Sequence, residues 1–123
     1  MSSPINDPDK AAKVFADDRA YVFHSWSAQA QISPMAIAGG AGSYFWDFTG
    51  KKYLDFSCQL VFTNIGHQHP KVIEAIKAQA DVLTTIAPQH ANEARNEAAK
   101  RIIEVSGDSF KKVFFTNAGA DGV

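Results

Sequence analysis

The stretch GSYFWDFTGKKYLDF, Gly42 to Phe56, alternates aromatic and polar residues around turn chemistry. Tyr44, Trp46 and Phe48 alternate with Phe45 and Asp47, the two-residue period of a strand. Asp47-Phe48-Thr49-Gly50 reads as a β-turn with glycine at its last position. Tyr53, Leu54, Asp55 and Phe56 then supply a second aromatic run to pair with the first. Just upstream, Gly39, Gly40 and Gly42 permit positive φ and a tight reversal. Together these predict a small antiparallel meander over residues 36–56 with one face buried.

Downstream of the meander the pattern changes. Residues 57–69, SCQLVFTNIGHQH, are apolar and then turn-like. Pro70 stands where a helix begins, its fixed φ suited to the first helical position. Ile73, Ile76, Ala80 and Leu83 recur near one face, predicting a helix from Pro70 to about Leu83. A connector, TTIAPQH (84–90), follows. Asn92 is a good N-cap and Gly107 a good residue just past a C-terminus, so a second helix is expected between them. Its apolar stripe is Ala94, Ala98, Ile102 and Val105, and the small alanines imply close packing on another element. Residues 112–116 read as a buried strand that ends in a small, glycine-containing turn, Ala118-Gly119-Ala120-Asp121. Strand and helix signals in this order indicate the α/β class, with the parallel unit incomplete. Upstream, residues 1–10 are expected to be loose. Residues 11–30 are helical at first, then aromatic and irregular, like an arm.

Composition narrows the function classes. The 123 residues are 46% hydrophobic and carry a formal net charge of −1. No lysine or arginine cluster offers a nucleic-acid surface. No apolar stretch is long enough to span a bilayer, and the polar start lacks a signal-peptide core. The single cysteine, Cys58, cannot form an internal disulfide. These features favour a cytoplasmic protein.

Several residues are site candidates. The turn at 118–121 can offer backbone N–H groups to a phosphate, and it also reads as an ordinary turn of Asn, Gly and Asp. It is neither a Walker A loop nor a dinucleotide fingerprint. His67 and His69 lie two apart but lack a zinc ligand set, and read better as residues capping the helix at Pro70. Asp47 and Asp55 are imaginable as paired carboxylates, but fit turn stabilisation better. Trp26 either anchors the arm or lines a pocket. No nucleophile motif is present.

In order and spacing, GSYFWDFTGKKYLDF, NIGHQHPKVIEAIKAQ (64–79) and FFTNAGAD (114–121) resemble the N-terminal part of class III pyridoxal-phosphate aminotransferases. The resemblance covers residues 20–121. It implies the type I aminotransferase fold, a homodimer with active sites at the subunit interface, and transfer of an amino group from an amine or ω-amino acid to a keto acid such as pyruvate or 2-oxoglutarate. By that resemblance residues 1–35 are an N-terminal arm and 36–69 belong to the small domain. Residues 70–123 begin the large cofactor-binding domain, with 112–116 as the first strand of its sheet. Ala118, Gly119, Ala120 and Asp121 match the turn that holds the pyridoxal phosphate. Trp26, Leu60 and Val61 match positions beside the substrate, and 84–90 matches a segment that approaches the partner's active site. Some members carry tryptophan at the place of Val61.

Departures from the family pattern bear on activity. The Schiff-base lysine, the aspartate for the pyridine nitrogen and the carboxylate-binding arginine fall later in family members. Lys51, Lys52, Lys71, Lys77, Lys100, Lys111 and Lys112 sit in the wrong segments, so no catalytic residue is assigned. Gly122 stands where the family more often has a non-glycine residue. The chain therefore reads as a truncated part of an enzyme, inactive alone. A same-fold aminomutase or decarboxylase segment, or a non-catalytic binding module or remnant, remains an alternative on sequence.

Overall fold

Asp47 organises the hairpin turn. One carboxylate oxygen accepts from the Thr49 N–H (2.9 Å), the Thr49 hydroxyl (2.7 Å) and the Lys51 N–H (3.1 Å), and the other from the Tyr53 hydroxyl (2.8 Å). Gly50 takes φ +85°, which a side chain would disfavour, and its N–H bonds the Asp47 carbonyl at 3.1 Å. The Thr49 hydroxyl, helped by the Tyr53 phenol, holds the Asp47 carboxyl below the usual range against the opposing effect of burial. The same bond, with burial second, raises the Tyr53 phenol.

The computed structural model describes residues 6–107 and 109–122. Three strands, β1 (Ile37–Ala41), β2 (Tyr44–Asp47) and β3 (Lys52–Leu54), form one antiparallel sheet in sequence order. Phe45 pairs with Gly40 on one side and Tyr53 on the other, and the Phe45 and Tyr53 rings stack at 5.3 Å. The meander thus forms where the aromatic alternation predicts it.

Two details of the meander differ from expectation. Only Gly42 (φ +58°) makes the reversal between β1 and β2. Gly39 and Gly40 serve close packing instead. A Cβ at Gly39 would stand 3.0 Å from the Trp46 ring, and one at Gly40 2.9 Å from the His67 ring. Nor is one face fully covered, since Phe45, Trp46 and Asp47 are half-buried. Among the described residues Phe48 is the one buried apolar side chain.

Helix α1 spans Pro8–Tyr21. Asp7 caps it by accepting from the Lys10 N–H at 2.9 Å, and Pro8 sits in the first turn. Residues 8–10, expected to be loose, are therefore helical. The Asp7 N–H donates to the Phe48 carbonyl at 2.7 Å, and the Lys10 ammonium lies 5.4 Å from the Phe48 ring centre. The start of α1 thereby covers the hairpin turn.

After β3 comes a single turn, α2 (Cys58–Val61), then α3 (Pro70–Val82) and α4 (Glu93–Ser106). Asn92 caps α4 through the Arg95 N–H at 3.1 Å, and Gly107 follows with φ +75°. Both caps are those the sequence marks. Neither α3 nor α4 buries a residue, so the close packing implied by the alanines of α4 is not met among the described residues. Residues 112–116 form no strand. A strand exists by pairing, and no described segment pairs with this one. The chain divides into two compact units, one ending at Glu74 and the other starting at Ala75.

Candidate functional site

The first unit carries Trp26, Leu60 and Val61. Trp26 sits in a loop wrapped by its own polar groups. His24 pairs through Nε2 with Asp18 at 2.7 Å, the Gln29 side chain accepts from the His24 N–H at 3.1 Å, and the Arg19 guanidinium donates to the Gln29 carbonyl. Trp26 itself is 103% exposed with φ +59°, so it touches neither Leu60 nor Val61 and does not anchor an arm.

Leu60 and Val61 lie on α2, and α2 is left-handed. Cys58, Gln59, Leu60 and Val61 have φ of +50°, +48°, +58° and +64°. Such backbone costs an L-residue about 1–2 kcal/mol, and strain of this kind concentrates at functional sites. The turn stands Leu60 and Val61 out into solvent, 84% and 76% exposed. Gln59 faces a cleft of about 430 Å³ that it lines with Ile37, Phe45, Phe62 and His67.

Asp55 lies beneath this turn, 7% exposed. Its carboxylate accepts from the Gln59 N–H at 3.2 Å and pairs with His67 Nε2 at 2.7 Å. Burial opposes its ionisation, but the bonds from His67 and the Gln59 amide outweigh that and leave the carboxyl below the usual range. His67 is itself fixed to the sheet by paired backbone bonds with Gly42, at 2.8 and 3.0 Å. The sequence offers little sign of this pair. Its members are twelve residues apart, and the only hint is one carboxylate inside the apolar run YLDF. Asp47 and Asp55 are not joined as an acid–base pair, because each is spent on its own turn. His69 closes the first turn of α3 through its carbonyl, which accepts from Val72 and Ile73 at 3.0 and 3.1 Å.

The second unit carries Ala118, Gly119, Ala120 and Asp121. Gly119–Gly122 form one 3-10 turn, whose bond runs from the Asp121 N–H to the Ala118 carbonyl at 3.1 Å. The N–H groups of Gly119 and Ala120 precede that bond and have no acceptor within the turn. A Cβ added at Gly119 would meet nothing within 4 Å. Two amides with no acceptor among the described residues, beside open space and flanked by small side chains, form a donor set that fits an anion such as phosphate.

The family description "Aminotransferase class-III" matches residues 26–123. The chain belongs to that family. It is similar to the acetylornithine aminotransferase of Methanocaldococcus jannaschii, 40% identical over 88 residues, which are 72% of this chain and 22% of that protein. In structure it is similar to a taurine:2-oxoglutarate aminotransferase from Bifidobacterium kashiwanohense, solved with PLP and glutamate, with a TM-score of 0.86 and 40% identity over 90% of this chain and 25% of that one. An S-selective transaminase from Arthrobacter sp. gives a TM-score of 0.82 at 32% identity, over 89% of this chain and 24% of that one. The fold is thus the α/β fold of the aminotransferases, in its N-terminal part. The chain spans about a quarter of the length of the relatives it matches.

Proposed function

We propose that these residues serve a pyridoxal-phosphate-dependent aminotransferase that moves an amino group from an amine or ω-amino acid to a keto acid such as pyruvate or 2-oxoglutarate. The observation that carries the reading is the open turn at 118–121, with two amides that have no acceptor among the described residues, inside a class III match that reaches it. The Gly119 and Ala120 N–H groups hold the cofactor phosphate, and the small side chains of Ala118 and Ala120 let it approach. Asp121 stands at the end of that turn. Trp26, Leu60 and Val61 form part of the substrate wall, orienting the side chain of the amine and excluding water from it. Val61 leaves more room than a tryptophan would. Pyridoxal phosphate, when bound, supplies the electron sink that transamination needs.

In this reading residues 1–35 are an arm, 36–69 part of a small domain and 70–123 the start of the cofactor-binding domain. The enzyme is a cytoplasmic homodimer acting on small molecules. Among the described residues no helix is long and apolar enough to cross a membrane. The 123 residues alone are inactive, because none of their lysines matches the Schiff-base position.

The test uses the full-length protein. With pyridoxal phosphate it is expected to convert pyruvate or 2-oxoglutarate to the amino acid at the expense of at least one of taurine, 4-aminobutyrate, N-acetylornithine and 1-phenylethylamine. The 123-residue chain is expected to convert none. Absence of any amino transfer by the full-length protein, with a full complement of cofactor, overturns the proposal.

A further inference from the structure

Four successive left-handed residues without glycine or asparagine persist only where neighbours over-determine them. The turn's own bonds run from the Val61 N–H to the Ser57 carbonyl and from the Thr63 N–H to the Cys58 carbonyl, each 3.1 Å, and from the Phe62 N–H to the Cys58 carbonyl. The other restraints converge on one group. The Asp55 carboxylate accepts from the Ser57 hydroxyl at 3.5 Å, the Gln59 N–H at 3.2 Å and the Thr63 hydroxyl at 3.4 Å. It therefore holds the turn at its middle, with longer contacts to the hydroxyls at its entrance and exit. His67 braces that carboxylate at 2.7 Å, and the Gly42–His67 bridge ties His67 to the sheet. A Cβ at Gly40 would collide with the His67 ring, so the sheet is shaped to admit it.

We infer that Asp55 is a positioning residue for substrate selection: its carboxylate, braced by His67, latches the left-handed turn Cys58–Val61 and so sets where Leu60 and Val61 stand. Asp55 is buried, and its carboxylate is engaged by the turn and by His67, so its role is to act through the turn. The inference rests on the reading of Leu60 and Val61 as substrate-wall residues.

Three variants of the full-length holoenzyme test it: Asp55→Ala, Asp55→Asn and Val61→Trp. Two readouts are taken. One is deuterium uptake of the peptide covering residues 57–64. The other is the ratio of kcat/KM values for 4-aminobutyrate, taurine and 1-phenylethylamine. Asp55→Ala is expected to speed exchange of that peptide at least tenfold and to shift the donor ratio at least tenfold, with cofactor absorbance retained. Asp55→Asn keeps one acceptor oxygen for the Gln59 N–H and is expected to fall between Asp55→Ala and the wild type. It also carries the test if the alanine variant does not fold. Unchanged exchange in both Asp55 variants overturns the latch. Faster exchange with an unchanged donor ratio overturns the role in selection, provided Val61→Trp shifts that ratio. If Val61→Trp leaves the ratio unchanged, the substrate-wall reading fails and the inference falls with it.

Discussion

At the residue scale, space and charge decide what each position tolerates. Gly40 has no room for a methyl group, because a Cβ would stand 2.9 Å from the His67 ring and 3.1 Å from the Tyr44 carbonyl. Gly40→Ala is expected to destabilise the full-length protein by about 1–3 kcal/mol, the range of overpacking, read as a lower denaturation midpoint. Gly42→Ala, in open space at φ +58°, is expected to cost about 1–2 kcal/mol through backbone strain alone. Asp47 makes a pH prediction. Its folded pKa is depressed, chiefly by the Thr49 hydroxyl. The stability it contributes is therefore complete above the unfolded value of about 3.9 and is lost as pH falls through the lower folded value. Asp47→Asn is expected to flatten the acid limb of a stability–pH curve measured against the wild type. An identical limb in both proteins contradicts this. Asp47 was legible as a turn residue because its turn is local. Asp55 is legible as turn-stabilising too, but its partner His67 is not, because the two meet only after the chain has turned back to Gly42.

At the element scale, what the chain announces locally is what forms. The helix at Pro70, the Asn92 cap and the Gly107 stop are written in single residues whose chemistry needs no distant partner. Asn92→Ala is expected to destabilise α4 by about 1 kcal/mol, the usual worth of such a cap, measured as faster amide exchange in its first turn. Two elements are unreadable for opposite reasons. The turn Cys58–Val61 is left-handed without the glycine or asparagine that usually marks positive φ. The segment 112–116 has strand chemistry, but a strand needs a neighbour to bond, and none is among the described residues. The handedness of the first is set by bonds from outside the turn, which no local signal marks, and the second lacks a pairing partner among the described residues.

At the scale of the whole molecule, the chain leaves most of its large apolar residues in solvent. Phe23, Trp26, Phe56, Leu60, Phe62, Val105 and Phe114 are all exposed, and neither long helix after the sheet buries a side chain. Burial of about 25 cal/mol per Å² is the main force that offsets ordering, and here little of it is realised. The 123-residue chain alone is expected to melt without a cooperative transition and to bind a hydrophobic dye. A sharp two-state melt of the monomer contradicts that. The central claim is that the turn at 118–121 holds the cofactor phosphate by its amides. Gly119→Pro deletes one N–H at a first helical position, where proline fits, without changing charge. A hydrogen bond to a charged group is worth about 1.5–3 kcal/mol. Titration of the full-length apoprotein is expected to show affinity for pyridoxal phosphate at least tenfold weaker in Gly119→Pro than in the wild type, with affinity for unphosphorylated pyridoxal unchanged. Equal affinities of variant and wild type for pyridoxal phosphate, or an equal loss for both ligands, would contradict the account.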